Sequence, residues 1–200
     1  MSLKEFSIRT IFLQAFIYKL LQFLTLAPPL SYIDKKKEAE MEITRYSCEL
    51  PYPEVEPVEN LADSKLLMPN YGGPAGELTA VTTYCFQNYI TQKNKELADV
   101  LIGIAKSEMH HHELLGETIY KLGGYPVMGS RTYWNGSFVN YTLDPKKFLQ
   151  QNIMGEETAI LNYERTVLNL KTESVKLLLE RIILDEELHI KIFKELLSEF

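Results

Sequence analysis

The stretch Glu108-Met109-His110-His111 decides the fold, because its spacing returns in the second half of the chain as Glu186-Glu187-Leu188-His189. In both copies the glutamate and the final histidine are three residues apart, which places them on one face of a helix. Each pair interrupts a seam of apolar residues with 4-3-4-3 spacing, over 97–122 for the first pair and over 175–200 for the second. That periodicity predicts two long amphipathic helices whose apolar faces carry a Glu-x-x-His pair.

Two more glutamates stand alone in apolar helical seams. Glu77 follows a glycine and precedes Tyr84 by seven residues, and Glu156 stands in the same relation to Tyr163, 79 residues further on. The two Glu-x-x-His pairs are shifted by 78 residues, almost the same distance. The sequence therefore indicates an internal duplication of a helical hairpin.

Turn and cap residues divide the second part of the chain into four helices. We predict helices from Pro74 to about Thr91, from after Asn94 to Leu122, from Asp144-Pro145 to about Leu170, and from a Thr172 cap to the chain end. Short loops make each successive pair an antiparallel hairpin, while about 21 residues between the second and third helices are enough to cross the bundle. The predicted fold is all-α, a ferritin-like antiparallel four-helix bundle with this long crossover. Counted from the turns, the four polar interruptions lie at one level, about 25 Å along each helix.

The chain divides into three regions. Residues 1–40 form an apolar and basic N-terminal extension, and residues 41–73 form a proline-containing arm with a short helix near Leu61–Leu67 that Asn60 caps. Residues 74–200 form the bundle.

The N-terminal extension allows three interpretations. Polar residues within 11–27 fall on one narrow stripe, as in an amphipathic helix that docks on a partner or a membrane surface. The segment is too short, and too polar near its middle, for a membrane span. A translation start at Met41 and a signal peptide are the other two interpretations.

Composition restricts the chemistry. The apolar fraction of 46% and the charged fraction of 24% are those of a soluble globular protein. A net charge of −6 predicts no nucleic-acid partner. The two cysteines, Cys48 and Cys85, exclude a disulfide framework, a zinc ribbon and a four-cysteine iron centre. Any metal must therefore be bound by carboxylates and histidines.

The glutamates in the apolar seams predict a dinuclear metal site. Each buried carboxylate costs several kcal/mol unless it is compensated, and the seams contain no lysine or arginine. Two divalent cations balance four carboxylates, and two neutral imidazoles complete the coordination. The predicted ligands are Glu77, Glu108, His111, Glu156, Glu186 and His189.

Four neighbouring side chains need separate assignments. His112 is also placed to turn inward, but the symmetry with His189 selects His111 as the ligand, and His110 is assigned to the surface. Tyr84 and Tyr163 lie on the ligand faces, either as core tyrosines or as donors of a hydrogen bond to a ligand carboxylate.

The ligand segments identify a family resemblance. Gly72-Gly73-Pro74-Ala75-Gly76-Glu77, with Tyr84 and the stretch 108–111, resembles manganese catalases and their shorter spore-coat relatives. The second half, from Asn152 to His189, is similar to rubrerythrin-type and bacterioferritin-type domains. The resemblance covers about residues 60–200. The chain departs from rubrerythrins at Ala159, where they carry a further glutamate, and stops before the C-terminal tail of manganese catalases.

The resemblance implies roles for the ligands and a reaction class. Glu108 and Glu186 would hold two iron or manganese ions together as the catalytic carboxylates, while Glu77 and Glu156 would be terminal ligands. Glu186 is alternatively an acid–base group outside the coordination sphere. We expect an oxidoreductase acting on peroxide or dioxygen in oxidative stress: manganese favours a catalase reaction, and iron a peroxidase or ferroxidase reaction.

Two other function classes remain open. One is ferritin-type iron oxidation and storage, and the other is a structural coat protein in which the metal only stabilises the bundle. In each case we expect a homo-oligomer in the cytoplasm. Association with a membrane or a spore coat stays open, and residues 11–27 are the candidate segment for docking on a membrane or a partner.

Overall fold

The computed structural model describes residues 45–200. The predictions for residues 1–40, including the amphipathic segment 11–27, lie outside this range. The described residues contain five α-helices and one short 3₁₀-helix. These are α1 (Leu61–Gly72), α2 (Glu77–Ile90), α3 (Lys95–Lys121), the 3₁₀-helix Gly136–Phe138, α4 (Pro145–Asn169) and α5 (Glu173–Leu197).

Most helix ends follow the predicted signals. The Asn94 side chain accepts a hydrogen bond from a backbone N–H in the first turn of α3, at 3.2 Å. Asp144 caps α4 in the same way at 2.9 Å, and Pro145 occupies the first turn. Gly123, with a φ of 83°, follows the end of α3 in the left-handed conformation that glycine tolerates best.

The start of α2 was predicted three residues too early. The helix begins at Glu77 rather than Pro74, because α1 continues through Pro69 to Gly72, beyond the predicted end at Leu67. Residues 73–76 then form a tight turn. A β-carbon on Gly76 would collide with backbone carbonyl oxygens of α1, so only glycine fits at this helix start.

Two details of α5 also differ from the prediction. The helix ends at Leu197 rather than at the chain end. Thr172 occupies the N-cap position, but its side chain makes no capping hydrogen bond. Its hydroxyl instead donates to the buried carboxylate of Asp63 at 2.7 Å, and that carboxylate also accepts from the Thr172 amide at 2.7 Å. Helix α1 thereby fixes the turn between α4 and α5.

The crossover between α3 and α4 packs against α2. The indole N–H of Trp134 donates to Thr79 Oγ1 at 2.9 Å, and the backbone N–H of Asn140 donates to Thr83 Oγ1 at 3.2 Å. Tyr125 remains 79% exposed. The crossover therefore covers part of the bundle.

Two apolar clusters enclose a polar layer in the bundle. Leu101 and Phe193 belong to one cluster, and Leu115 and Ile182 to the other. Glu108 of α3 lies midway between Leu101 and Leu115, about two helical turns from each. Among residues 45–200, no helix combines the length and the apolar character needed to cross a bilayer.

Candidate metal centre

The six predicted ligands meet in this polar layer. They form two overlapping groups, in each of which one ligand atom per residue lies within 4.8 Å of the others. The groups are Glu77, Glu108, His111 and Glu186, and Glu108, Glu156, Glu186 and His189. All six side chains are buried, and Glu108 and Glu186 belong to both groups.

The shared glutamates direct their two oxygens to different histidines. Glu108 Oε2 lies 3.2 Å from His111 Nδ1, and Glu108 Oε1 lies 2.9 Å from His189 Nδ1. Glu186 Oε1 lies 3.5 Å from His111 Nδ1, and Glu186 Oε2 lies 3.1 Å from His189 Nδ1. Each carboxylate therefore spans the space between two positions, as a bridging ligand does.

The remaining glutamates each serve one position. Glu77 Oε2 lies 3.6 Å from His111 Nδ1, and Glu156 Oε1 lies 3.9 Å from His189 Nδ1. Each position thus combines one imidazole nitrogen, one terminal carboxylate and two shared carboxylates.

Hydrogen bonds outside the layer orient both histidines. His111 Nε2–H donates to Asp185 Oδ2 at 3.0 Å, and His189 Nε2–H donates to the backbone carbonyl of Tyr46 at 2.8 Å. Because Nε2 is the donor in each ring, Nδ1 faces the carboxylates and can present its lone pair to a metal.

Asp185 is a site residue that the sequence analysis missed. Its carboxylate also accepts from the Cys48 amide and from the Tyr52 hydroxyl, both at 2.5 Å, and pairs with Arg181 Nη1 at 2.7 Å. Burial raises the pKa of Asp185, but the hydrogen bond from His111 leads the opposing contributions, which lower this pKa from 3.8 to about 2.

The duplication gave no signal for Asp185. The matching residue, one position before the shared glutamate of α3, is Ser107, whose hydroxyl contacts Ser47 Oγ at 3.0 Å. The sequence indicated this ion pair only through the four-residue spacing of Arg181 and Asp185, which places both on one helix face.

The two tyrosines connect the halves of the chain. The Tyr84 hydroxyl donates to Glu156 Oε1 at 2.5 Å, and the Tyr163 hydroxyl donates to Glu77 Oε1. Each terminal carboxylate is thus held by a tyrosine from the other hairpin. This favours the interpretation in which both tyrosines support ligands.

The carboxylates and imidazoles of the cluster shift one another's pKa values. Burial, followed by repulsion from Glu108 and Glu186, raises the pKa of Glu77 and of Glu156 well above the ordinary value. Burial lowers the pKa of a histidine, but the surrounding carboxylates outweigh it and raise the pKa of His111 and of His189.

These shifts favour positive charge among the four buried carboxylates, and metal cations can supply that charge. Among the described residues, Glu77 Oε2 and Glu186 Oε1 are also buried without a hydrogen-bond partner, which is costly unless a metal or a proton satisfies them. Carboxylate oxygens and imidazole nitrogens suit both manganese and iron.

The other two histidines lie outside the cluster. His112 stacks on Tyr71 with 4.1 Å between ring centroids, and His110 Nδ1 lies 3.4 Å from Glu113 near the surface. The structure thus places His111, rather than His112, among the carboxylates.

A cleft of about 280 Å³ leads to the carboxylates between α2 and α4. Glu77, Glu108, Glu156 and Glu186 line its buried end. Exposed residues of α4, including Met154 and Gly155, line its outer end, and Phe138 of the crossover forms part of the wall. A small molecule can therefore reach the polar layer from solvent.

Comparisons with known proteins agree with this geometry. The family of manganese-containing catalases matches residues 49–125. A protein of Clostridium acetobutylicum described as a "Probable manganese catalase" is 27% identical over 164 residues, which cover 70% of this chain and 72% of that protein.

Two solved structures share the fold. The manganese catalase KatB from Anabaena PCC7120 superposes with a TM-score of 0.65 at 24% identity, covering 75% of this chain and 80% of that one. The bacterioferritin of Desulfovibrio desulfuricans, which has a diiron site, superposes with a TM-score of 0.59 at 28% identity, covering 71% and 84%.

Proposed function

Because the chain belongs to the ferritin-like superfamily of dinuclear carboxylate proteins, we propose that it binds two manganese ions and disproportionates hydrogen peroxide to water and dioxygen. The observation that carries this proposal is the position of Glu108 and Glu186, each with one oxygen directed to each histidine. The match to manganese-containing catalases over residues 49–125 supports manganese.

Each residue of the cluster has a separate task. His111 with Glu77, and His189 with Glu156, would bind one ion each. Glu108 would hold the ions together, and Glu186 would serve as the acid–base group beside them. When bound, the metal pair supplies the two electrons that cleavage of an O–O bond requires. Tyr84 and Tyr163 keep the terminal carboxylates in position from the opposite hairpins.

The cleft delivers peroxide to oxygens that can take its protons. Glu108 and Glu186 both line the cleft. We assign Glu186 Oε1 as the acceptor. This atom, like Glu77 Oε2 and Glu108 Oε1, is buried without a hydrogen-bond partner among the described residues, and Glu186 is the residue to which the family resemblance allows an acid–base role.

Metal analysis and dioxygen evolution test the proposal. Protein purified without added metal should contain about two manganese ions per chain and evolve dioxygen from hydrogen peroxide. Glu186→Gln should reduce the rate by about 10²-fold or more, as loss of a general base does. Glu187→Gln is the matched control, because Glu187 is the adjacent residue and is exposed. Full metal content without peroxide decay would contradict the proposal and favour a structural role.

Iron oxidation is the second candidate function, and the 28% identity to a bacterioferritin supports it. In that case the purified protein should contain iron. Ferrous iron added to the metal-free protein should then be oxidised by dioxygen, and no dioxygen should evolve from peroxide.

A further inference from the structure

The cleft is much larger than hydrogen peroxide requires. One water molecule occupies about 10–15 Å³ of the space open to its centre in a cavity, and hydrogen peroxide needs about twice as much. The cleft offers about 280 Å³. The space above the carboxylates can therefore hold a substrate with an organic group.

The walls of the cleft suit an apolar group. Pro74, Ala80, Phe138, Met154 and Ala159 contribute apolar surface to the cleft. Met154 is 65% exposed, so this surface continues to the outer end.

The polar side chains of the walls are paired within the protein. Asn152 and Gln87 exchange hydrogen bonds of 3.0 and 2.7 Å. Asn140 Nδ2 donates to Gln151 Oε1 at 2.9 Å, and Thr79 donates to a backbone carbonyl at 3.0 Å. The hydrogen-bonding groups of these wall residues are already used within the protein. Carboxylate oxygens at the buried end have no hydrogen-bond partner among the described residues and can bind a cation or a proton.

From this polarity we infer that the cleft binds short-chain alkyl hydroperoxides, with the O–O group at the carboxylates and the alkyl group against the apolar walls. This inference rests on the proposed function, since the metal pair must exchange two electrons with peroxides. It adds a second class of oxidising substrate to hydrogen peroxide.

The reaction balances without an external reductant. The O–O bond of the alkyl hydroperoxide breaks, one oxygen leaves as the alcohol and the other leaves as water. The two electrons and two protons that this requires come from one hydrogen peroxide, which is oxidised to dioxygen. The sum is one alkyl hydroperoxide plus one hydrogen peroxide giving one alcohol, one water and one dioxygen.

Gly155 allows a selective test of the cleft. It lines the cleft beside Glu156, and a β-carbon built on it meets no other atom within 4 Å. Gly155→Trp therefore extends into open space and narrows the cleft, whereas Gly155→Ala leaves it open. Both changes replace glycine within α4, where other residues favour the helix more, so both variants should fold.

The experiment uses an unreactive alcohol and two peroxides with the metal-loaded protein. Binding of tert-butyl alcohol is measured by ligand-detected NMR, and consumption of tert-butyl hydroperoxide and of hydrogen peroxide is measured in the same preparation. The original protein and Gly155→Ala should bind the alcohol and convert tert-butyl hydroperoxide to it. In Gly155→Trp, alcohol binding and the rate with tert-butyl hydroperoxide, relative to hydrogen peroxide, should fall by about tenfold or more.

The outcomes separate this inference from the proposed function. If hydrogen peroxide is consumed but the alcohol does not bind and tert-butyl hydroperoxide persists, the inference fails and the proposed function stands. An equal loss of both peroxide activities in Gly155→Trp, with unchanged alcohol binding, also overturns the inference. If the loaded protein consumes neither peroxide, both proposals fail.

Discussion

Replacing Asp185 by asparagine removes a negative charge from a point where four donors converge, while the side chain keeps its size. The donors are the amide of Cys48, the hydroxyl of Tyr52, Arg181 Nη1 and His111 Nε2. Asp185 is fully buried and Arg181 is 5% exposed, so the change leaves a buried cation without its counter-charge.

The size of the effect follows from this geometry. Removing one partner of a buried ion pair costs about 3–5 kcal/mol of unfolding free energy. With a urea dependence of about 2 kcal/mol per molar, the unfolding midpoint of the metal-free protein should fall by about 2 M. His111 also loses the carboxylate that orients its ring, so metal affinity should fall by about 10–100-fold.

Two measurements and one control variant test this prediction. Urea unfolding gives the change in stability, and competition with a chelator gives the change in manganese affinity. Asp99→Asn is the control, because Asp99 is 57% exposed and pairs with Lys95 at 3.0 Å on the surface of α3. Such a pair contributes at most about 0.5 kcal/mol. If Asp185→Asn matches Asp99→Asn in both measurements, the assignment of Asp185 as a support for the metal site is wrong.

Three further predictions concern metal binding. Manganese at 100 times its dissociation constant should stabilise the protein by about 2.7 kcal/mol per site, measured as a rise in the thermal midpoint, while magnesium at that concentration should give a smaller rise because it prefers oxygen ligands alone. Because the pKa of Glu77, Glu156, His111 and His189 is raised without metal, binding two ions should release up to four protons. Calorimetry in buffers of different ionisation enthalpy should detect this release. The affinity for manganese should decrease as the pH falls, because protons then compete with the metal for the same groups. Tyr84→Phe and Tyr163→Phe each delete one hydroxyl, and each should weaken manganese binding by about tenfold in the chelator assay. A large effect of only one of the two changes would contradict the equivalent positions of the tyrosines.

The sequence was sufficient for the parts of the fold that repeat. Glu-x-x-His at two positions, with one glutamate on each remaining helix, predicted which residues converge, because helical spacing fixes the face and the loop lengths fix the level. The ends of α3 and α4 were also predictable, since Asn94, Asp144 and Gly123 act through local hydrogen bonds and backbone conformation.

The parts that depend on tertiary contacts were not predictable in this way. The start of α2 depends on how closely Gly76 approaches the carbonyls of α1. The role of Asp185 depends on the arm that brings Cys48 and Tyr52 to it, 137 and 133 residues away in sequence. The identity of the carboxylate that each tyrosine contacts depends on packing between the hairpins, which helical periodicity alone does not specify.

The crossed tyrosine contacts have a consequence for protein dissection. A fragment with only α2 and α3 would retain Glu77 and Tyr84. It would lack the Tyr163 hydroxyl that donates to Glu77 and the Glu156 carboxylate that accepts from Tyr84. Two copies of such a fragment, facing each other, would restore both contacts. Either hairpin produced alone is thus expected to function only as a self-associated pair, and the covalent link in the full chain makes that association intramolecular.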